Sequence, residues 1–419
     1  MTHHVTRRRV NTGIGSALIL SALARTPAYA QGEPIKIGFS MALTGPLAAN
    51  GKQALLGAQI WQEEVNTKGG LLGRQVKLIN YDDQSSTVPG IYTKLLDVDK
   101  CDLVVGPYAT NMVAPAIPVV MQKGKLFIGL FALDANREFQ YPKYFSMLPS
   151  GPTPKESFTE GFFQVADAQS PKPQTIAIAS EDAEFARNCA DGARNNVKKY
   201  GFKLIYDKTY PPNTTDFTPI IRAIQAGNPD MVVICSYPLS SVGMLQAANE
   251  LGLKPKMMGG GMVGLQATAF KDKLKSKLNG IINYETWVPS PKLMAPAADF
   301  FKTYQSRAQG VDPLGYYLGG WGYAYMQVLQ QAIQATKSVY DDKLADYMRG
   351  NAFNTIMVSD LRFGKNGEWT KSGMLQVQYH SITDAANLET WRGMSYQTVV
   401  TPADEKTGAV IFPYEKALG

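Results

Sequence analysis

Histidine is nearly missing from this chain. Only His3, His4 and His380 occur in 419 residues, and the first two fall in a segment read below as removed. A zinc site or a His-based triad therefore lacks its residues. Cysteine is as scarce. Cys101, Cys189 and Cys235 are odd in number and far apart, whereas a disulfide framework needs even, dense cysteines. Cys235 sits in an apolar run and reads as a buried thiol; one disulfide plus one free thiol stays open. There is no GxxxxGK[ST] phosphate loop and no nucleophile elbow, so an enzyme has little to work with. Low-complexity stretches and short repeats are missing too. Charge is thin at 18%, against 45% hydrophobic residues. A chain of this length can bury a sizeable core, and two domains are the natural prior.

The N-terminus carries an address. Arg7, Arg8 and Arg9 precede an apolar, small-residue run from Gly13 to Ala24, and Ala28-Tyr29-Ala30 offers a cleavage site. This pattern is a secretory signal peptide ending near Ala30. Thr6-Arg7-Arg8 matches a twin-arginine signal only faintly. The apolar run is too short for a permanent span, and no later segment is apolar enough to cross a bilayer. No cysteine follows the cleavage site to take a lipid. The mature chain is expected to be exported and not membrane-embedded. Loss of Arg7, Arg8, Arg9 and Arg25 takes the formal charge from +7 to +3. No basic cluster remains, so nucleic-acid binding has no support.

What is present is organised around Ile35–Gly70. Ile35, Ile37 and Phe39 alternate as a strand. TGPLAANG supplies turn chemistry. Ala54, Ala58, Trp61 and Val65 then recur at helical spacing, the apolar stripe of a helix packed on a sheet. The alternation continues: strands at 76–81, 103–105 and 126–131, helices at 88–99 and, shortened or kinked by Pro115 and Pro118, at 113–122. SMLPSGPTP at 146–154 marks a first passage to a second lobe. There the series restarts with strands at 175–179, 204–206, 231–235 and 257–258, and helices at 158–168, 184–200, 216–226 and 239–251. A strand at 281–287 leads to a second passage, two long helices follow at 294–308 and 315–335, and a third passage is placed near Ser359. Asn366-Gly367 is a hairpin candidate. Such alternation predicts an α/β fold with parallel sheets covered by helices.

Five stretches in this order carry a resemblance: LTGPLAANG, KGGLLGRQVKLINYDDQ, VVGPYAT, DFTPIIRAIQAGNPDMVV and DPLGYYLGGWGYAYMQVL. Together they resemble the periplasmic leucine/isoleucine/valine-binding protein family, the type I solute receptors of ABC importers. The resemblance implies the type I periplasmic-binding-protein fold, two Rossmann-like lobes joined by three crossovers. Lobe one would hold residues 31–147 and 288–358, lobe two 148–287 and 359–419, after a signal at 1–30. A ligand would lie in the cleft, the lobes would close on it, and the closed form would dock on an ABC membrane permease. A monomer without cofactor or metal is expected.

In amino-acid-binding relatives a Ser or Thr after the third strand and backbone N–H groups after the fourth hold the ligand carboxylate. The matching positions are Ala109-Thr110 and Phe131-Ala132-Leu133, with Asn50 in the first loop. Thr110 can equally cap a helix. The carboxylate that would hold an α-ammonium matches Gly261, beside Met262. Phe185 stands where the family has Tyr, and Leu133 where it has Thr. An unpartnered buried ammonium is costly, and Glu285 is the nearest substitute. Tyr108, Phe131, Phe185, Tyr237, Trp287, and Tyr316 or Tyr317 are expected to offer rings to a flat or apolar ligand, unless they are core. The reading is a receptor for a small apolar or aromatic carboxylate. The alternatives are a branched-chain amino acid receptor and a ligand-binding sensor module.

Overall fold

The computed structural model describes residues 32–84 and 86–418; the signal segment and its cleavage site lie outside them. The first lobe opens with β1 (Ile35–Met41), α1 (Ala48–Thr67), β2 (Val76–Asp82), α2 (Val88–Asp97), β3 (Leu103–Val104), α3 (Thr110–Gln122), β4 (Phe127–Gly129) and β5 (Tyr144–Ser146). The parallel order is β2-β1-β3, with β4 paired to β5. Gly106 N–H donates to Ile128 O at 2.7 Å and joins the two ribbons. Helix α3 begins at Thr110 and runs through both prolines. The expected short segment is thus a full helix starting directly after the β3 turn.

The second lobe holds α4 (Pro154–Asp167), β6 (Thr175–Glu181), α5 (Glu184–Tyr200), β7 (Lys203–Tyr210), α6 (Thr218–Gly227), β8 (Met231–Ser236), α7 (Pro238–Glu250), β9 (Met257–Met262), α8 (Thr268–Leu274) and β10 (Ile282–Glu285). Every residue of β8 is buried, as expected of a central parallel strand covered on both faces. Helix α5 stops at Gly201, which takes the left-handed conformation at φ 70° that glycine adopts freely. The chain then returns with α9 (Pro291–Met294), α10 (Ala298–Arg307), α11 (Leu318–Thr336) and α12 (Asp341–Gly350). The last of these has no counterpart in the sequence reading. Helix α11 packs on α1 at very close range, because a Cβ on Gly57 would sit 2.1 Å from Gly319 O.

Finally β11 (Leu375–Tyr379) and β12 (Gln397–Thr401) complete the second sheet, ordered β12-β11-β10-β9-β8-β6-β7. The last passage comes later than the Ser359 expectation. Ser146 N–H donates to Gly367 O at 2.8 Å, and Trp369 Nε1 donates to Ser146 O at 2.9 Å. These bonds hold the chain beside β5 up to about Thr370. Phe363 and Trp369 pair antiparallel around the expected Asn366-Gly367 turn.

Candidate functional site

Strand order reverses between β1 and β3 in the first sheet and between β6 and β8 in the second. Loops leaving the carboxyl ends of neighbouring strands part there and leave a crevice. Both crevices face one cleft. Its walls are Tyr108, Ala109, Thr110, Phe131, Leu148 and Tyr317 on one side, and Phe158, Phe185, Tyr237, Val263 and Tyr284 on the other. None of these side chains is ionised at neutral pH. The rings meet directly: Phe158 and Tyr284 have centroids 4.4 Å apart, Phe185 and Tyr237 5.5 Å, Phe131 and Tyr317 5.5 Å. They leave a cavity of about 10 Å³, room for about one water. A larger molecule enters only when the lobes or rings move apart.

The first wall is built on unusual backbone. Ala109 has φ 82° and Phe131 φ 57°, conformations that cost a residue with a side chain about 1–3 kcal/mol. Ala109 N–H to Leu130 O and Leu130 N–H to Pro107 O, both 3.2 Å, hold the two turns against each other. Thr110 is fully buried, and its Oγ1 accepts the Leu133 N–H at 2.9 Å. Its own hydroxyl hydrogen has no acceptor among the described residues. Thr110 also opens α3, and a helix start is where N–H groups without intrahelical acceptors can meet an anion; the Met112 and Val113 N–H groups already donate to Ala109 O, at 3.0 and 2.9 Å.

Hydroxyls form a chain across the cleft. Asn50 Nδ2 donates to Tyr108 OH at 3.1 Å. Tyr108 OH meets Tyr317 OH at 3.4 Å, and Tyr317 OH meets Tyr284 OH at 3.2 Å. Burial pushes the Tyr108 hydroxyl up to about 12 and raises those of Tyr237, Tyr284 and Tyr317 as well. All four phenols are neutral donors at physiological pH. Other contacts latch the lobes together. Tyr237 OH donates to Asn111 Oδ1 at 2.7 Å, Asn188 Nδ2 donates to Leu133 O at 2.9 Å, and Lys155 lies 3.9 Å from Asp134.

Tyr108, Ala109, Thr110, Phe131, Phe185 and Tyr237 therefore come together on the cleft, and the other expected positions do not line it. Asn50 stands behind Tyr108. Ala132 and Leu133 are buried, and Leu133 serves the turn and the latch instead. Gly261 looks the wrong way: a Cβ there would fall 2.4 Å from Cys189 Sγ and 3.1 Å from Phe158. Met262 is bonded to Asn283 through its N–H. The end of β9 presents Val263 to the cleft, two residues further on. Trp287 packs at a tilt against Phe301 and Tyr316 and lines a separate cavity of about 340 Å³. Tyr316 donates to Arg392 O, so its neighbour Tyr317 takes the cleft position.

Glu285 is no substitute partner for an ammonium. Successive residues of a strand face opposite ways, so Tyr284 points into the cleft and Glu285 away from it. Glu285 is bonded to Tyr379 OH at 3.0 Å and lies 3.5 Å from Lys271. Cys101, Cys189 and Cys235 are all free and buried, so the possible disulfide does not form. Of the pair Tyr316 and Tyr317, the structure places Tyr317 on the cleft. Leu148, Phe158, Val263 and Tyr284 have no counterpart in the sequence reading. The alternation around Tyr284 is a usable signal; the other three depend on packing between lobes.

Residues 34–381 match the family described as "Periplasmic binding protein". The chain belongs to the periplasmic binding protein family. Its members bind solutes and are not enzymes. This periplasmic binding protein is similar to the curated "Leu/Ile/Val-binding protein homolog 8" of Brucella suis, 24% identical, covering 88% of this chain and 94% of the relative. Among solved structures it is similar to the substrate-binding protein LivJ of Streptococcus pneumoniae in complex with isoleucine. That match has TM-score 0.69 and 19% identity over 82% of this chain and 96% of the other. A putative branched-chain amino acid ABC transporter from Silicibacter pomeroyi gives TM-score 0.73 and 19% identity, over 91% and 99%. These likenesses show the two-lobed type I fold. No helix among the described residues is long and apolar enough to cross a membrane.

Proposed function

We propose that this protein is an exported receptor that takes a small apolar or aromatic carboxylate into the interlobe cleft and delivers it to the membrane permease of an ABC importer. One observation carries the ligand class: among the described residues no carboxylate lines the cleft. An amino acid would bury its ammonium there unpaired, at a cost of several kcal/mol. A carboxylate would meet the spare Thr110 hydroxyl and the start of α3, and an apolar or aromatic body would pack among the rings. The lobe latches, the near-filled cleft and the family membership support capture by lobe movement. The names of the relatives favour a second reading, a branched-chain amino acid. Its ammonium would have to be held by neutral oxygens alone.

A thermal-shift screen tests the reading. Benzoate, 4-methylpentanoate and similar acids should raise the melting temperature more than leucine, isoleucine or valine, because a ligand of the folded state stabilises it by mass action. Stabilisation by the amino acids alone would overturn it.

A further inference from the structure

The hydroxyl chain in the cleft carries more donors than it can use. Asn50 brings two amide hydrogens, and Tyr108, Tyr317 and Tyr284 bring one each. The three contacts that link them, at 3.1, 3.4 and 3.2 Å, use one hydrogen apiece. With Asn50 donating to Tyr108, two hydrogens remain over whichever way the phenols point, one on Asn50 and one on a phenol. In the recorded orientation Asn50 Oδ1 is also buried without a partner among the described residues. Native interiors rarely leave buried donors idle. The network is separate from the Thr110 group, which has its own spare hydrogen and no hydrogen bond to the phenols.

The cleft thus has two donor groups set among aromatic rings. Building on the carboxylate reading, we propose that the ligand is an aromatic acid with a second, neutral oxygen, a phenol or aryl ether, received by the Tyr108–Tyr317–Tyr284 chain. A second carboxylate fits poorly, because no cationic side chain lines the cleft among the described residues. A neutral oxygen accepts one spare hydrogen without bringing charge into an apolar site. A phenolic hydroxyl can also donate in return.

Calorimetry with benzoate, 3-hydroxybenzoate, 4-hydroxybenzoate and leucine tests this on the full exported chain. At least one hydroxybenzoate should bind about three- to tenfold tighter than benzoate, the range of one neutral hydrogen bond. Tyr317→Phe should bring that ratio close to one; Tyr284→Phe serves if the first variant folds poorly. Equal affinity for benzoate and both hydroxybenzoates would overturn the second-oxygen inference and leave the carboxylate reading standing. So would a preference that survives in both variants. Leucine binding with no heat from any acid, or no heat from any of the four, would overturn this inference; the leucine outcome would overturn the carboxylate reading with it.

Discussion

Replacing Thr110 by valine tests the first wall of the cleft. Valine keeps the branched shape, so no cavity term enters. What is lost is the oxygen that accepts the Leu133 N–H at 2.9 Å. Leu133 and Thr110 are both fully buried, so no water replaces that acceptor without rearrangement. An orphaned buried donor costs about 1–3 kcal/mol. Thr110→Val should lower the unfolding free energy by that amount, read as a lower urea midpoint at unchanged m-value, and Thr110→Ser should recover most of it. Affinity is a separate readout. If the spare hydroxyl hydrogen reaches a carboxylate, ligand binding should weaken by roughly 1.5–3 kcal/mol, the range for a hydrogen bond to a charged group. Calorimetry on the folded variant measures it. Wild-type stability would refute the role of Thr110 in pinning the turn. Lost stability with intact affinity would leave Thr110 as a structural residue only.

Glu368 should make stability pH-dependent. It is buried, and burial with Asp134 nearby pushes its carboxyl to about 8, against an ordinary 4.5. The folded state then keeps a proton that the unfolded chain releases, so stability is fullest below about 4.5 and falls as pH rises toward 8. Melting scans should show that slope and Glu368→Gln should flatten it; Asp83, raised to about 6, would leave a smaller remainder. Gly261→Ala should destabilise by about 1–3 kcal/mol through overpacking on Cys189, with a denaturation series as the check. Tyr237→Phe removes the interlobe bond to Asn111 and should weaken ligand binding by about 1 kcal/mol while small-angle scattering shows a wider average molecule. A variant as closed and as tight as wild type would discount that latch.

Much of the fold could be read in advance, because βα alternation is written locally. The stripe from Ala54 to Val65, the glycine stop after Tyr200 and the Asn366-Gly367 turn each depend on near neighbours in the chain. The same holds for the cleft residues that directly follow a strand: Tyr108 to Thr110, Phe131, Phe185 and Tyr237. Positions set by register and packing are not legible in this way. The sequence places Gly261 in the cleft, but the tight fit of β9 against Cys189 turns it away and brings Val263 forward. Trp287 and Tyr316 look equally suited to a ligand in sequence, yet they pack against each other away from the cleft. Phe158 gives no local sign at all, since its ring reaches the cleft only when α4 lies across β10.

The central claim is that the cleft receives a carboxylate and has no partner for an α-ammonium. Leucine and 4-methylpentanoate share a carbon skeleton and differ by the ammonium alone. Titration calorimetry of both against the same preparation isolates that group. The account predicts measurable binding of 4-methylpentanoate and binding of leucine weaker by at least about tenfold, the equivalent of about 1.4 kcal/mol. Tight binding of leucine with no heat from 4-methylpentanoate would contradict it.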